Sequence, residues 1–333
     1  MDFELCSPDI LPHTTVVDHC TFGYNLLNYS PTAMIRLRFY HLLIICFLLL
    51  FSVPVGAQQQ DSLQLKLHRI AKAFPATIGF SVLDIESGKT YSFNGNRRLP
   101  MQSVYKFHLA LAVLNQVDQG KLSLDGMILL NKSNLLPNTH SPLRDKYPGG
   151  NVKITLSELL TYTVGQSDNN GCDILFRLLG GTLHVDAYIK SLGIDHVAIV
   201  GTEEEMHQDS TVQFKNWTTS NAAVQLLALF YQKKILSQES HNFLWKVMTE
   251  SPSGPNKIKG KLPARTPVAH KTGYSGVNEI GVTTASNDIG IVTMPNGKHF
   301  AVAAFVGMTK QDEKAIDAVI AELTSITLNE LNR

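Results

Sequence analysis

Strand-like patterns fall at two places far apart in this 333-residue chain, and helical patterns fill the space between them. Near the front, Thr77-Ile-Gly-Phe-Ser-Val-Leu-Asp84 alternates with the period of a strand. The turn Glu86-Ser-Gly-Lys89 then leads into Thr90-Tyr-Ser-Phe93, which makes a hairpin. The second group comes after Pro267, with strands expected at 267–272, 279–285, 288–293 and 299–307. Pro295-Asn-Gly297 turns the last pair. Short turns between successive strands mean antiparallel pairing. Amphipathic helices expected at 61–73 and 311–331 can cover such a sheet. The expected fold class is therefore α+β: an antiparallel sheet flanked by helices, with an all-helical domain inserted. The sheet domain would be discontinuous, 58–100 plus 250–333, and the helical domain would run over 101–249. A cleft between the two is where a ligand site is expected.

The inserted block opens with Met101-Gln-Ser-Val-Tyr-Lys106. Val104, Phe107, Leu111, Leu114 and Val117 recur at three- and four-residue spacing, which predicts a half-buried helix. Pro100 suits its start and Gly120 its end. Ser103 falls in the first turn. Lys106, three residues on, shares its face. A serine hydroxyl is a weak nucleophile that needs a base within hydrogen-bond reach. A lysine near other cations or in a dry pocket can shed a proton and serve as one. Taken alone, the pair reads more simply as a serine near a helix start and a lysine in solvent. Further along, Thr155 with Glu158 forms a capping box, and Asp168 caps a helix that ends before Gly180-Gly181. Two more helices are expected at 221–232 and 238–249.

The front of the chain reads as a removable leader. Residues 1–33 are polar and irregular, and Met34 is the expected start. Arg36 and Arg38 precede an apolar run from Leu42 to Val53, and Val55-Gly-Ala57 ends in small residues. That is the plan of a secretory signal peptide cut after Ala57, with an apolar run short for a membrane span. A periplasmic location follows as the expectation, with no stable membrane anchor. Three of four cysteines leave with the leader, so Cys172 has no internal disulfide partner. Removing two of 29 basic and four of 28 acidic residues leaves a net charge of +3, too weak for a nucleic-acid partner.

Two further stretches carry polar groups suited to chemistry. Gly165-Gln-Ser-Asp-Asn-Asn170 lies between helices; Ser167 offers a hydroxyl and Asn169 an amide. Ala269-His-Lys-Thr-Gly-Tyr-Ser-Gly276 ends a strand; Lys271 gives a point charge, Thr272 a hydroxyl, and Gly273 lets a ligand approach the backbone. Each alone reads as a cap or a turn. The order S-x-x-K, S-D-N, K-T-G is far more specific, and with it the chain resembles the class A serine β-lactamases. Within them it is similar to the PER and VEB extended-spectrum subgroup, through Gln102–Phe107, Leu109–Leu114, Gln166–Asn169, Gly171–Leu175, Glu204–His207, Asn216-Trp217 and His270–Gly273.

The resemblance implies a role for each matching residue. Ser103 would attack the lactam carbonyl to form an acyl-enzyme, and Lys106 would help deprotonate it. Ser167 would pass a proton to the leaving nitrogen. Asn169 would hold the substrate's amide, and Lys271 with Thr272 its carboxylate. The N–H groups of Ser103 and Tyr274 would form the oxyanion hole. In Val200-Gly-Thr-Glu-Glu-Glu-Met-His207 the deacylation base aligns to Glu203, with Glu204 as the neighbouring register. Whether Lys106 or Glu203 activates Ser103 stays open. No metal or cofactor is implied, and the expected form is a monomer acting on small β-lactams. Three residues depart from the commoner pattern: His207 four after the base, Tyr274 after K-T-G, and His140 on the cleft wall. His108 reads as structural. The competing readings are a D,D-peptidase or other penicillin-binding protein, a non-catalytic β-lactam sensor, and a serine esterase.

Overall fold

The computed structural model describes residues 55–333, with side chains from Ser62 onward. The upstream segment, nearly all of the leader, and Cys6, Cys20 and Cys46 lie outside the described residues. Val55-Gly-Ala57 falls inside them, at the start of a helix Val55–Ala73.

A five-stranded sheet forms the frame. Its order is Thr90–Phe93, Thr77–Asp84, His299–Gly307, Ser286–Thr293 and Val268–Tyr274, antiparallel throughout. The strand alternation explains why both faces are covered. In His299–Gly307, Phe300, Val302, Ala304 and Val306 join one buried cluster while Ala301, Ala303 and Phe305 join another. The first cluster packs against Leu63 and Leu67 of the first helix and Ile316, Ile320 and Leu323 of the final helix Glu313–Leu331. The second packs against the helices that lie between the two strand groups. A central strand with both faces buried reads as an apolar run, as this one does.

The helix Tyr105–Asp118 differs from its expected half-buried form. Every residue from Tyr105 to Leu114 is buried, Lys106 and His108 included. Helices and sheet surround it, so its polar positions had to find partners inside or stay neutral. Burial holds the His108 imidazole down at about 4, so the ring is uncharged at neutral pH. The Thr155 helix breaks after Leu160 into a single π turn over Thr161–Gly165. Helices Ser220–Tyr231 and Gln238–Thr249 lie where the sequence places them.

The expected strand at 279–285 does not form; the segment is a loop with isolated bridges Val277↔Thr283 and Thr283↔Thr309. Asn278 is the reason. Its Oδ1 accepts the N–H groups of Ile280 and Val282 at 3.2 and 2.8 Å, so local bonds replace ladder bonds. Gly281 supplies the positive φ of +75° that this turn needs. Among the described residues no helix is long and apolar enough to cross a membrane.

Candidate active site

A short three-stranded ladder sets the floor of the site. Pro100 pairs with Trp217, Leu99 with Thr218, and Met101 N–H donates to Asn216 O at 2.9 Å. The chain then makes one tight 3-10 turn, Gln102–Val104, before the buried helix begins. Ser103 therefore sits just ahead of the helix with its hydroxyl at the mouth. Asn287 of the sheet clamps this turn by donating to Pro100 O and Met101 O at 2.9 and 3.0 Å. The strand end Val268–Tyr274 presses against it from the side. A Cβ at Gly273 would lie 2.6 Å from Met101 O, so only glycine permits the approach.

Lys106 is the hub. Its Nζ lies 3.0 Å from Ser103 Oγ, 2.8 Å from Ser167 O, 2.5 Å from Asn169 Oδ1 and 2.9 Å from Glu203 Oε1. An ammonium has three protons, yet four oxygens converge on it. Its three hydrogen bonds go to Ser103 Oγ, Ser167 O and Asn169 Oδ1, and Glu203 Oε1 meets it as an ion pair without a hydrogen bond. Lys106 thus stands in contact with both the serine hydroxyl and the glutamate carboxylate.

Ser167 is held with φ +59°, in the left-handed region that side chains seldom adopt. That turn aims its carbonyl at Lys106 and its hydroxyl at Lys271, whose Nζ lies 2.9 Å away. Asp168 fixes the turn from within the core. Its carboxylate accepts from Ser141 Oγ and from the N–H groups of Leu143 and Gly171. Asn169 Nδ2 donates to Thr139 Oγ1 at 2.8 Å, which fixes the amide's orientation. Lys271 is buried, and its Nζ also donates to Thr272 O at 2.8 Å. Burial, then repulsion from Lys106, brings its ammonium down to about 7.

The three consecutive glutamates separate by task. The side chain of Glu205 closes a capping box with Thr202 at the head of the helix Glu203–Gln208. Glu204 reaches only toward Gln208, at 3.5 Å. Glu203 is the one whose carboxylate meets Lys106. Asn216 gathers the loop's root by accepting from Val200 N–H and Gly201 N–H at 2.7 and 2.8 Å.

Nine of the residues singled out in sequence line one cleft of about 400 Å³: Ser103, His140, Ser167, Asn169, Glu203, His207, Thr272, Gly273 and Tyr274. Lys106 and Lys271 lie beneath it. His140 Nε2 is 2.9 Å from Gln166 O, so the ring is braced against the chain just before Ser167. Tyr274 stands 40% exposed at the rim, its ring 6.0 Å from Lys257 Nζ. Asp173 has no assigned task in the sequence reading. It lies one helical turn after Asn169, and its carboxylate accepts the N–H groups of Glu203 and Glu204 at 2.8 and 2.9 Å. Burial first, then the charge of Glu203, pushes its carboxyl up to about 7. The i, i+4 spacing from Asn169 and its place in the matched stretch Gly171–Leu175 were the sequence signals that could have put it near the site.

Relatives share this arrangement of chain. Residues 62–331 match the sequence profile of the β-lactamase enzyme family. The chain is 39% identical over 290 residues to the β-lactamase VEB-1 of Pseudomonas aeruginosa, an alignment that covers 86% of this chain and 96% of the relative. It is 41% identical over 273 residues to the extended-spectrum β-lactamase PER-1 of the same organism, covering 82% and 88%. The crystal structure of the TLA-1 extended-spectrum β-lactamase superposes with a TM-score of 0.81 at 48% identity, over 82% of this chain and 99% of that one. An ancestral class A β-lactamase superposes at 0.73 with 29% identity, covering 80% and 99%. Sequence, fold and the crowded lysine at the cleft floor agree, and the chain belongs to the class A β-lactamases, enzymes that hydrolyse β-lactam antibiotics and so confer resistance.

Proposed function

We propose that this enzyme works through a serine acyl-enzyme that a glutamate-activated water clears. The single observation that carries the reading is Lys106 Nζ, 3.0 Å from Ser103 Oγ and 2.9 Å from Glu203 Oε1 at once. Ser103 Oγ attacks the lactam carbonyl carbon, and its proton passes to the Lys106–Glu203 pair. The N–H groups of Ser103 and Tyr274 receive the developing oxyanion. As the C–N bond breaks, Ser167 Oγ, held in place by Lys271, delivers its proton to the nitrogen. The proton taken from Ser103 passes on from the Lys106–Glu203 pair to restore the Ser167 hydroxyl, which leaves Glu203 a free carboxylate again. Lys271 and Thr272 hold the substrate carboxylate, and Asn169 its side-chain amide. Glu203 then takes a proton from water, whose oxygen attacks the ester carbonyl. The proton returns to Ser103 Oγ as it leaves, and the ring-opened acid departs.

Penicillins and cephalosporins are the substrates we assign, and an extended spectrum among them on similarity to relatives whose names carry that term. Export to the periplasm with cleavage after Ala57 is part of the same proposal, checked by the N-terminal sequence of the protein recovered from that compartment. The mechanism is tested by intact-protein mass spectrometry after mixing with a penicillin. The expected record is a gain of one drug mass that disappears as drug is consumed. In Glu203→Gln the adduct should persist. A persistent adduct on the unaltered protein would make it a penicillin target or sensor. Cleavage of ester dyes with no β-lactam adduct would make it an esterase.

A further inference from the structure

Gln213 lies on the tail of the glutamate loop, in the 3-10 turn Ser210–Lys215. Its side-chain amide joins three segments. Oε1 accepts from Gln102 Nε2 at 2.7 Å and from Thr284 Oγ1 at 2.8 Å. Nε2 donates to Ser210 O at 2.6 Å. Three of the amide's four hydrogen-bonding positions are thus used, and they tie the serine turn, the glutamate loop and the segment entering the strand Ser286–Thr293 to one point.

The partner on the serine turn is the informative one. Gln102 has φ +48°, a backbone conformation that a side chain seldom adopts and that persists only when its surroundings impose it. Its Cβ is pressed toward the strand end, since a Cβ at Gly273 would stand 3.0 Å from it. The peptide plane between Gln102 and Ser103 carries the Ser103 N–H, and it turns with the backbone of Gln102. Whatever holds Gln102 therefore aims that N–H.

We infer that Gln213 is a positioning residue for acylation: by holding Gln102 in its left-handed conformation it fixes the Ser103 N–H as an oxyanion donor. Gln213 acts through Gln102 and needs no contact with substrate. The inference rests on the acyl-enzyme reading above, and the test separates the two. If Glu203→Gln protein takes up no penicillin mass at all, the acyl-enzyme reading fails before Gln213 is examined.

Given uptake, the rate of adduct formation in the Glu203→Gln background reads acylation alone. Adding Gln213→Ala should slow it about tenfold, the scale on which small misplacements of reacting groups cost rate. Gln213→Glu keeps both acceptor bonds and should stay within about threefold of the parent. The decisive comparison adds Gln102→Gly, which adopts the same backbone conformation without help. In that background Gln213→Ala should change acylation by less than about twofold, even though it still lowers Tm by removing the bonds to Thr284 and Ser210. The inference is overturned if Gln213→Ala leaves acylation within twofold while Gln102 is intact. It is equally overturned if the tenfold loss survives in the Gln102→Gly background, which would mark a general loosening of the loop.

Discussion

Lys106 and Lys271 are both sealed from solvent, at 0% and 1% exposure, and both border the same cleft. Their surroundings differ in kind. Lys106, at the head of a helix, faces a carboxylate and three further oxygens within 3.0 Å. Lys271, on a strand, meets one hydroxyl and one carbonyl, and among the described residues no carboxylate reaches it as an ion pair. The first is saturated with partners and suited to handing a proton along. The second carries a poorly compensated charge, which an arriving anion would relieve. The same side chain thus serves proton transfer in one place and carboxylate recognition in the other, with the difference set by the neighbours.

The largest effect expected from that contrast falls on Lys106. Lys106→Ala should slow adduct formation by about 10²–10⁴-fold, the usual worth of a positioned proton carrier. The measurement is the single-turnover acylation rate with a penicillin. A loss below tenfold would move the base to Glu203 alone and leave Lys106 as a structural counter-ion.

Lys271→Ala should act on binding first. A charge-assisted hydrogen bond to a carboxylate is worth about 1.5–3 kcal/mol, so KM should rise about 10–100-fold. The same change in kcat alone would break the contrast, since it would put Lys271 in the proton path with Ser167. A third expectation follows from its ammonium lying at about 7 in the free enzyme. A lowered value for a base means that the charge is present below about pH 7 and lost above it. KM for an anionic penicillin should therefore rise by up to about tenfold per pH unit above pH 7. In the bound complex the carboxylate retains the proton, so kcat should stay flatter across the same range. A flat KM between pH 6 and 9 would show that Lys271 keeps its charge.

What the chain discloses before folding divides along the same lines. The strands Thr77–Asp84 and His299–Gly307 and the helix Gln238–Thr249 end where period and turn residues place them, because each is long and bounded by strong punctuation. The shared face of Ser103 and Lys106 was legible because residues three apart line up across a 3-10 turn much as they do along a helix. Their role came only with the S-D-N and K-T-G motifs. The failures are of another type. The segment 279–285 has strand-like residues, but Asn278 supplies bonds that a pattern of hydrophobicity does not contain. The burial of Lys106 came from elements far away in sequence. Asp173 lies in the matched stretch Gly171–Leu175 and Gln213 in none, and neither has a motif that names its task. Their partners stand 30 and 111 residues distant, so no local window holds both halves of either bond.

Asp173 gives the prediction with the least effect on rate, and it tests whether the roof of the site is held as firmly as the floor. Its carboxylate anchors two N–H groups of the glutamate loop while burial and Glu203 resist its charge. The folded-state value of about 7 lies above the ordinary 3.8, so the folded protein holds this proton more tightly than the unfolded chain does. For such an acid, stability falls as pH rises from about 4 to about 7, and levels off beyond. Asparagine has no charge to lose and keeps one acceptor oxygen. The Tm of Asp173→Asn relative to the unaltered protein should therefore climb by a few degrees as pH goes from 5 to 8, while kcat changes by no more than about fivefold, the worth of one hydrogen bond. A Tm difference independent of pH would mean that Asp173 is ionised at pH 5 already. In that case its two N–H bonds outweigh its burial, and the glutamate loop is fastened by a full negative charge in the way that Lys106 is fastened by its four oxygens.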